Sequence, residues 1–158
     1  MPWPLIDATW LKNFTRTLAS GTVVQARGTY DLGLYPAWKG LGSVRYGYRG
    51  FGAGLNAHFI GSFHECATPD GLFTGGGLCY ADTRYTRQIN AYATFDLFAS
   101  YAFPTTFFGR TTLAAGVNNV FDKQPPNVYT ADNLNGTSDP SAYDFRGRFF
   151  YARLTHAF

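Results

Sequence analysis

The sequence predicts an all-β chain, an antiparallel meander of about six amphipathic strands, and three observations predict it. Apolar and polar residues alternate with period two in one segment after another. The 18 glycines and an aromatic fraction of 18%, set against 15% charged residues, suit strands and turns better than helices. The connections between the alternating segments are by turns long and short.

At 158 residues, 46% of them hydrophobic, the chain is long enough for one ordinary domain and is not disordered. No run of apolar residues reaches the ~18 that a helical membrane span requires. Barrel strands need only about 9 to 11 residues and alternate apolar with polar, which keeps average hydropathy near neutral. The mean hydropathy here is −0.15. The opening "MPWPLIDATW" lacks a basic segment followed by an unbroken apolar run, so no secretory signal is predicted there and an export address would lie elsewhere. The net charge of +3 is spread from Lys12 to Arg153 without a basic block, which argues against a nucleic-acid partner.

The elements follow in order. "LIDATWLKNFTRTLA" reads as a strand with Ile6, Ala8, Trp10 and Phe14 on one face; a helix through Leu11, Phe14 and Leu18 is the other reading, and the rhythm of the remaining chain favours the strand. "WKGLGSVRYGYR" sets Trp38, Val44, Tyr46 and Tyr48 against Lys39, Ser43, Arg45 and Arg49. A tight turn at Arg49 and Gly50 leads into "FGAGLNAHFIGSF", where Phe51, Ala53, Leu55, Ala57, Phe59 and Phe63 oppose Asn56, His58 and Ser62. "NAYATFDLFASYAF" places Ala91, Ala93, Phe95, Leu97, Ala99, Tyr101 and Phe103 opposite Asn90, Thr94, Asp96 and Ser100. After a short turn through Pro104, "FFGRTTLAAGVNNVF" places Leu113, Ala115 and Val117 opposite Arg110, Thr112 and Asn118. The closing strand carries Phe150, Ala152, Leu154, His156 and Phe158 on one face and Tyr151, Arg153 and Thr155 on the other.

The connections run to about 20 residues near Gly21 to Pro36, two at Arg49 and Gly50, about 26 from Cys66 to Gln88, about four at Pro104 and about 23 from Asp122 to Asp144. Three structureless loops of that length are rare in a compact soluble domain. In an outer-membrane barrel, periplasmic turns are short and outward loops long. The alternation therefore predicts a portion of a transmembrane β-barrel, with the long loops facing outward.

Residues of catalytic type do not converge. His58, His64 and His156 have no metal-ligand spacing and read as structural or lumenal histidines. "GFGAG" opens an alternating strand rather than a helix, and "TGGGL" reads as a loop tip rather than an oxyanion hole. "RGRFFYAR" departs from an RNA-binding sheet at Arg148 and lacks the accompanying helices. Asp96 and Arg110 read either as an ion pair lining a lumen or as separate wetted residues. No cofactor is expected and no enzyme chemistry is read. Cys66 and Cys79 flank a glycine-rich run, which suggests a disulfide in an oxidising compartment, or else two unrelated buried thiols.

The last two strands carry a specific resemblance. "GVNNVFDKQPPNVY" followed by "YDFRGRFFYARLTHAF" resembles the C-terminus of a TonB-dependent outer-membrane receptor. In that family the penultimate strand ends in Asn-(Leu/Val)-Phe-Asp, often with prolines after it; Asn119, Val120, Phe121, Asp122, Pro125 and Pro126 fit. The last strand opens on a Gly-Arg pair, here Gly147 and Arg148, and ends on an aromatic residue, here Phe158. "YPAWKGLGSVRYGY" and "AHFIGSFHEC" resemble the preceding hairpin, so the likeness covers nearly the whole chain and weakens towards residue 1.

The resemblance implies a plugged barrel of about 22 strands in the Gram-negative outer membrane. Such receptors import iron–siderophore complexes, cobalamin or carbohydrate with energy coupled through TonB. Residues 1–158 correspond to the C-terminal part of such a barrel, and the plug, the TonB-contacting box and about sixteen strands are absent, so the chain is expected to be a fragment. Implied partners are outer-membrane lipid, the barrel assembly machinery, the remainder of the receptor, TonB and a small-molecule substrate. Phe150, Leu154 and Phe158 conform to the family's C-terminal assembly signal, while His156 stands where an aromatic, often tyrosine, is more usual. The alternative expectation is a soluble β-sandwich or small β-barrel that binds a ligand or glycan and uses the aromatic faces as its core.

Overall fold

The computed structural model describes residues 3–17, 21, 23–30, 33–65, 87–104, 109–128 and 138–158. These residues are all-β, with twelve strands: β1 (Trp3–Trp10), β2 (Thr15–Thr17), β3 (Val23–Gln25), β4 (Thr29–Tyr30), β5 (Leu34–Tyr35), β6 (Trp38–Tyr48), β7 (Phe51–Ile60), β8 (Phe63–Glu65), β9 (Arg87–Ile89), β10 (Tyr92–Ala102), β11 (Arg110–Asn118) and β12 (Phe149–Ala157). Six of them form one antiparallel sheet in the order β1-β6-β7-β10-β11-β12, a meander whose two outer edges are unpaired. All six are the strands legible in the alternation. β1 is shorter than expected: it stops at Trp10, and Phe14 packs its ring against Tyr35 at 4.5 Å instead of extending the sheet.

The β6–β7 turn shows why this hairpin is tight. Arg49 and Gly50 both take positive φ, 45° and 82°, the two-residue geometry whose twist matches that of the flanking strands. Tyr48 and Phe51 are thereby paired across the hairpin. Gly50 also abuts β10: its carbonyl accepts the Ala102 N–H at 2.8 Å, and a Cβ on it would lie 2.6 Å from the Ala102 carbonyl oxygen.

Cross-strand register sorts the side chains onto two faces. The middle row of one face runs Val44–Leu55–Leu97–Val117–Phe150. Towards the short turns this face carries Tyr46, Tyr48, Phe51 and Tyr101; towards the long loops it carries Trp10 stacked on Trp38 at 5.8 Å, Phe59 and Phe95. No Asp, Glu, Lys or Arg of the six strands lies on it. It is uncovered by any other part of the described chain: Ile6 is 81% exposed and Leu154 70%.

The other face holds Asp7, Lys39, Ser43, Arg45, Asn56, His58, Asp96 and Arg153 among smaller residues. Its crowding is relieved by glycine. In the row Arg45–Gly54–Phe98–Gly116–Tyr151, bulky residues alternate with glycines. A Cβ on Gly54 would lie 2.3 Å from the Phe98 ring, and one on Gly116 would lie 2.5 Å from the Tyr151 hydroxyl. Each ring lies flat over its neighbouring strand, which is how a polar face accommodates large side chains close to the backbone.

Two of the long connections are not structureless. β4, β5, β8 and β9 form a second sheet in the order β5-β4-β8-β9, with β4 parallel to β8, and β2 pairs with β3. The chain bends at Gly61 and Ser62 between β7 and β8, and the Gly61 N–H donates to the Trp38 carbonyl at 2.8 Å. That bend corrects the reading of Phe63. It leaves the face shared by Phe51 to Phe59 and enters the buried cluster of Tyr30, Phe63, Ile89, Tyr92, Val128 and Tyr143.

Replacing Gly50 by alanine forces a side chain into both a left-handed backbone and the Ala102 carbonyl. The expected loss is about 2 kcal/mol or more, read from urea unfolding in detergent.

Candidate functional site

The buried cluster sits at the loop end of the polar face, and its role is to hold a strap, residues 138–146, across that face. Asp139 anchors the strap. Its carboxylate accepts the Tyr30 hydroxyl at 3.0 Å and both the N–H and hydroxyl of Ser141, at 2.8 and 2.7 Å. Tyr143 meets Tyr92 edge to face at 5.1 Å. Burial, followed by the negative charge of Asp139, pushes the ionisation of Tyr30 and Tyr143 well above the ordinary tyrosine value. Beside them Glu65, 0% exposed, is paired by Arg87, whose Nε donates at 2.7 Å and whose Nη2 also donates to the Asn127 carbonyl at 2.6 Å. A carboxylate so far from water persists only with such a partner.

Between strap and sheet lies a groove. One compartment of about 290 Å³ is walled by His58, Thr94, Asp96 and Asn118 of the long strands and roofed by Asp144 and Arg146 of the strap. A second, of about 300 Å³, shares His58, Ile60 and Ala142 with it and reaches Asp7, Thr9 and Lys39. The Arg146 side chain and backbone both hydrogen-bond the Asp144 carboxylate, and they hold it below the usual carboxylate range. The groove thus offers donors, acceptors and charges of both signs on rigid strands, an arrangement suited to hydrogen-bonding a polar solute. Among the described residues no group of three or more His, Cys, Asp or Glu is placed to hold a metal ion.

The motif residues at the end of β11 form a clasp. Asn119, at φ 50°, bridges the turn: its amide Oδ1 accepts the Lys123 N–H at 2.8 Å and its Nδ2 donates to the Lys123 carbonyl at 2.9 Å. Asp96 accepts the Asn119 N–H at 2.8 Å on one oxygen and contacts His58 Nε2 at 3.0 Å on the other. Asp96 therefore works with His58 and Asn119, not with Arg110, which pairs with Ala157 at the opposite end of β11. The ion-pair reading of Asp96 and Arg110 is corrected by that register.

Asp122 accepts the Arg148 N–H at 2.8 Å, and Gly147, at φ 66°, leaves no room for a Cβ, which would lie 2.8 Å from the same carboxylate oxygen. Phe121 packs edge to face on Phe95 at 5.7 Å. Asn119, Phe121, Asp122, Gly147 and Arg148 are thus brought together as the joint through which the strap returns into β12. Phe150, Leu154 and His156 lie on the apolar face; Thr111 Oγ1 and His156 Nδ1 are 2.8 Å apart, and the Phe158 ring meets the His156 ring at 4.6 Å. Cys66 and Cys79 lie outside the described residues.

The sequence reading missed the Tyr30–Asp139 anchor, the Glu65–Arg87 pair and the groove itself. A signal existed for the first: Asp139-Pro140-Ser141 is a turn sequence in which an aspartate bonds its own backbone two residues on. No local signal linked it to a tyrosine 109 positions away.

No protein-family model, curated protein or solved structure matches the chain.

Two outcomes test this geometry. Asn119→Ala removes both side-chain bonds across the turn and puts alanine in a left-handed backbone, so stability should fall by about 2 to 3 kcal/mol in urea unfolding. For Tyr30 and Tyr143, whose folded values are raised, the stabilisation is complete below the unfolded value of 10.0 and is lost as pH rises above it. Absorbance at 295 nm should therefore show Tyr30 and Tyr143, together with Tyr92, whose ionisation burial also raises, resisting ionisation until the strap detaches.

Proposed function

We propose that the chain forms the C-terminal part of the barrel wall of a TonB-dependent outer-membrane receptor, a non-enzymatic component of nutrient import. One observation carries the reading: the uncharged, uncovered face of the six-stranded sheet, whose middle row is aliphatic but for Phe150 and lies between two aromatic margins. From Phe51 to Phe59 it spans eight steps, about 26 Å of strand, of the order of the apolar band of an outer-membrane barrel. An exposed apolar surface of this extent is foreign to a soluble monomer. The contact of Asp122 with the Arg148 N–H beside Gly147 supports the family resemblance, because it joins the two motifs.

In this reading the unpaired edges of β1 and β12 pair with further strands of the receptor, since hydrocarbon leaves no exposed backbone polar group unsatisfied. The polar face lines the lumen, and the groove under the strap, on the outward side, contributes to capture of a siderophore, cobalamin or carbohydrate. A soluble sandwich would need a second layer over the apolar face; among the described residues nothing covers it.

Expressed behind a secretory signal peptide as the C-terminal part of a complete receptor barrel in a Gram-negative host, the chain should remain in the outer-membrane pellet after alkaline carbonate washing; release into the supernatant would refute the reading. Leu97→Arg, at the middle of the apolar face, should lower stability in lipid bilayers by about 2 to 4 kcal/mol. The same change at Leu5, on the polar face, should cost less than about 0.5 kcal/mol.

A further inference from the structure

A further cleft, of about 370 Å³, opens at the loop-side end of β10. Its walls are residues 87–92, where β9 passes into β10, and residues 123–127, the segment that leaves the Asn119 turn. Of these only Tyr92 also borders the groove under the strap. Hydrogen bonds to backbone carbonyls tie the two walls together. The Tyr92 hydroxyl donates to the Lys123 carbonyl at 3.0 Å, and Arg87 Nη2 donates to the Asn127 carbonyl at 2.6 Å. The Asn119 amide clamps both the N–H and the carbonyl of Lys123. The cleft is therefore formed before any occupant arrives.

The side chains along those walls keep their polar ends unused. Gln88, Asn90, Lys123 and Asn127 line the cleft, all exposed, and their side chains have no hydrogen-bond or ion-pair partner among the described residues. Three carboxamides and one ammonium, drawn from two separate segments, thus border one space. No carboxylate lines it, so a cation finds no counter-charge there. The Arg87 charge is already matched by Glu65, which leaves Lys123 as the unbalanced charge of the cleft among the described residues.

These groups select a ligand by its chemistry. A carboxamide donates and accepts at once, which matches a hydroxyl, and several together match a ring that bears several hydroxyls. The Lys123 ammonium, a compact charge on a flexible stem, matches one carboxylate on such a ring. Ala91 and the half-buried Pro126 offer its C–H edge an apolar surface. The volume lies at the small end of the ~300 to 1,000 Å³ of small-molecule sites, which fits a small sugar and no folded partner. A nucleotide calls for an exposed aromatic ring on which to stack its base, whereas the aromatic ring of this cleft, Tyr92, is only 6% exposed. We propose that the cleft binds an acidic sugar, a hydroxylated ring carrying a carboxylate, either free or borne by a lipid. The inference needs only the walls of the cleft, and it is independent of the solute that the groove captures.

The test uses the full chain folded in zwitterionic detergent and titrations with glucuronic acid, glucose and inorganic phosphate, followed by saturation-transfer-difference NMR at about 0.15 M salt. Glucuronic acid should bind about three- to fivefold more tightly than glucose, which has a hydroxymethyl group in place of the carboxylate. Lys123→Gln should remove that preference and leave glucose within about twofold, while Lys123→Arg should keep it. Asn90→Ala/Asn127→Ala should weaken both sugars at least about fivefold. Lys12→Gln, which removes the same charge elsewhere, should change either affinity less than about twofold. Equal affinity of the unaltered chain for the two sugars, or equal losses in Lys123→Gln and Lys12→Gln, would overturn the site. Phosphate that binds as tightly as glucuronic acid would overturn the assignment of a sugar. Displacement of the free acid by glucuronosyl diacylglycerol in the same micelles supports a lipid headgroup as the source, and its absence, with the free acid still bound, supports a soluble sugar.

Discussion

Register among the six long strands is the constraint on which everything else here depends. Side chains alternate faces at every residue, so a slip of one position between β6 and β7 would bring Arg45 and Lys39 onto the apolar side and bury Val44 and Tyr46 among polar groups. The two-residue turn at Arg49 and Gly50 fixes that register mechanically, and the Gly50 contact with Ala102 ties it to the next hairpin. The segregation of an uncharged face from a polar one follows, and with it the interpretation of the chain as barrel wall.

The loop-side end obeys different physics. There the sheet gains its only extensive burial among the described residues, and the burial is aromatic and polar at once: Tyr30, Tyr92 and Tyr143 around Asp139, with Glu65 and Arg87 alongside. Such clusters are stable only when their polar atoms are satisfied, which the Asp139 turn and the Arg87 fork largely achieve. The strap is consequently seated over strands that would otherwise be open, and the groove is a by-product of that seating. A rigid polar pocket thus stands next to long loops, the usual place for recognition on a β scaffold.

The C-terminal motif illustrates how a sequence signature acquires a physical meaning. Asn119 is needed because its amide spans the turn and tolerates a left-handed backbone; Asp122 because it caps the Arg148 N–H; Gly147 because any side chain would strike that carboxylate. The residues were readable as a motif, but the Asp122 bond to the Arg148 N–H was not, since it joins positions brought together only when the strap returns to β12. His156 differs: its departure from a plain aromatic was visible in sequence, and its proximity to Thr111 appears only through the β11–β12 register.

Alternation by itself determined the number of long strands, their faces and the two-residue turn at Arg49 and Gly50, because a period of two is a local property of the backbone; the turn expected through Pro104 lies partly outside the described residues. It failed where the chain bends. Phe63 keeps the phase of β7 in the sequence yet lies on the opposite side in space, because Gly61 and Ser62 break the strand between them. The Asp96–His58–Asn119 contacts, the buried Glu65 and the strap were decided by tertiary structure alone. Each depends on which rows of different strands come to lie side by side, and that is set by hydrogen-bonded register across the sheet rather than by any stretch of residues along it.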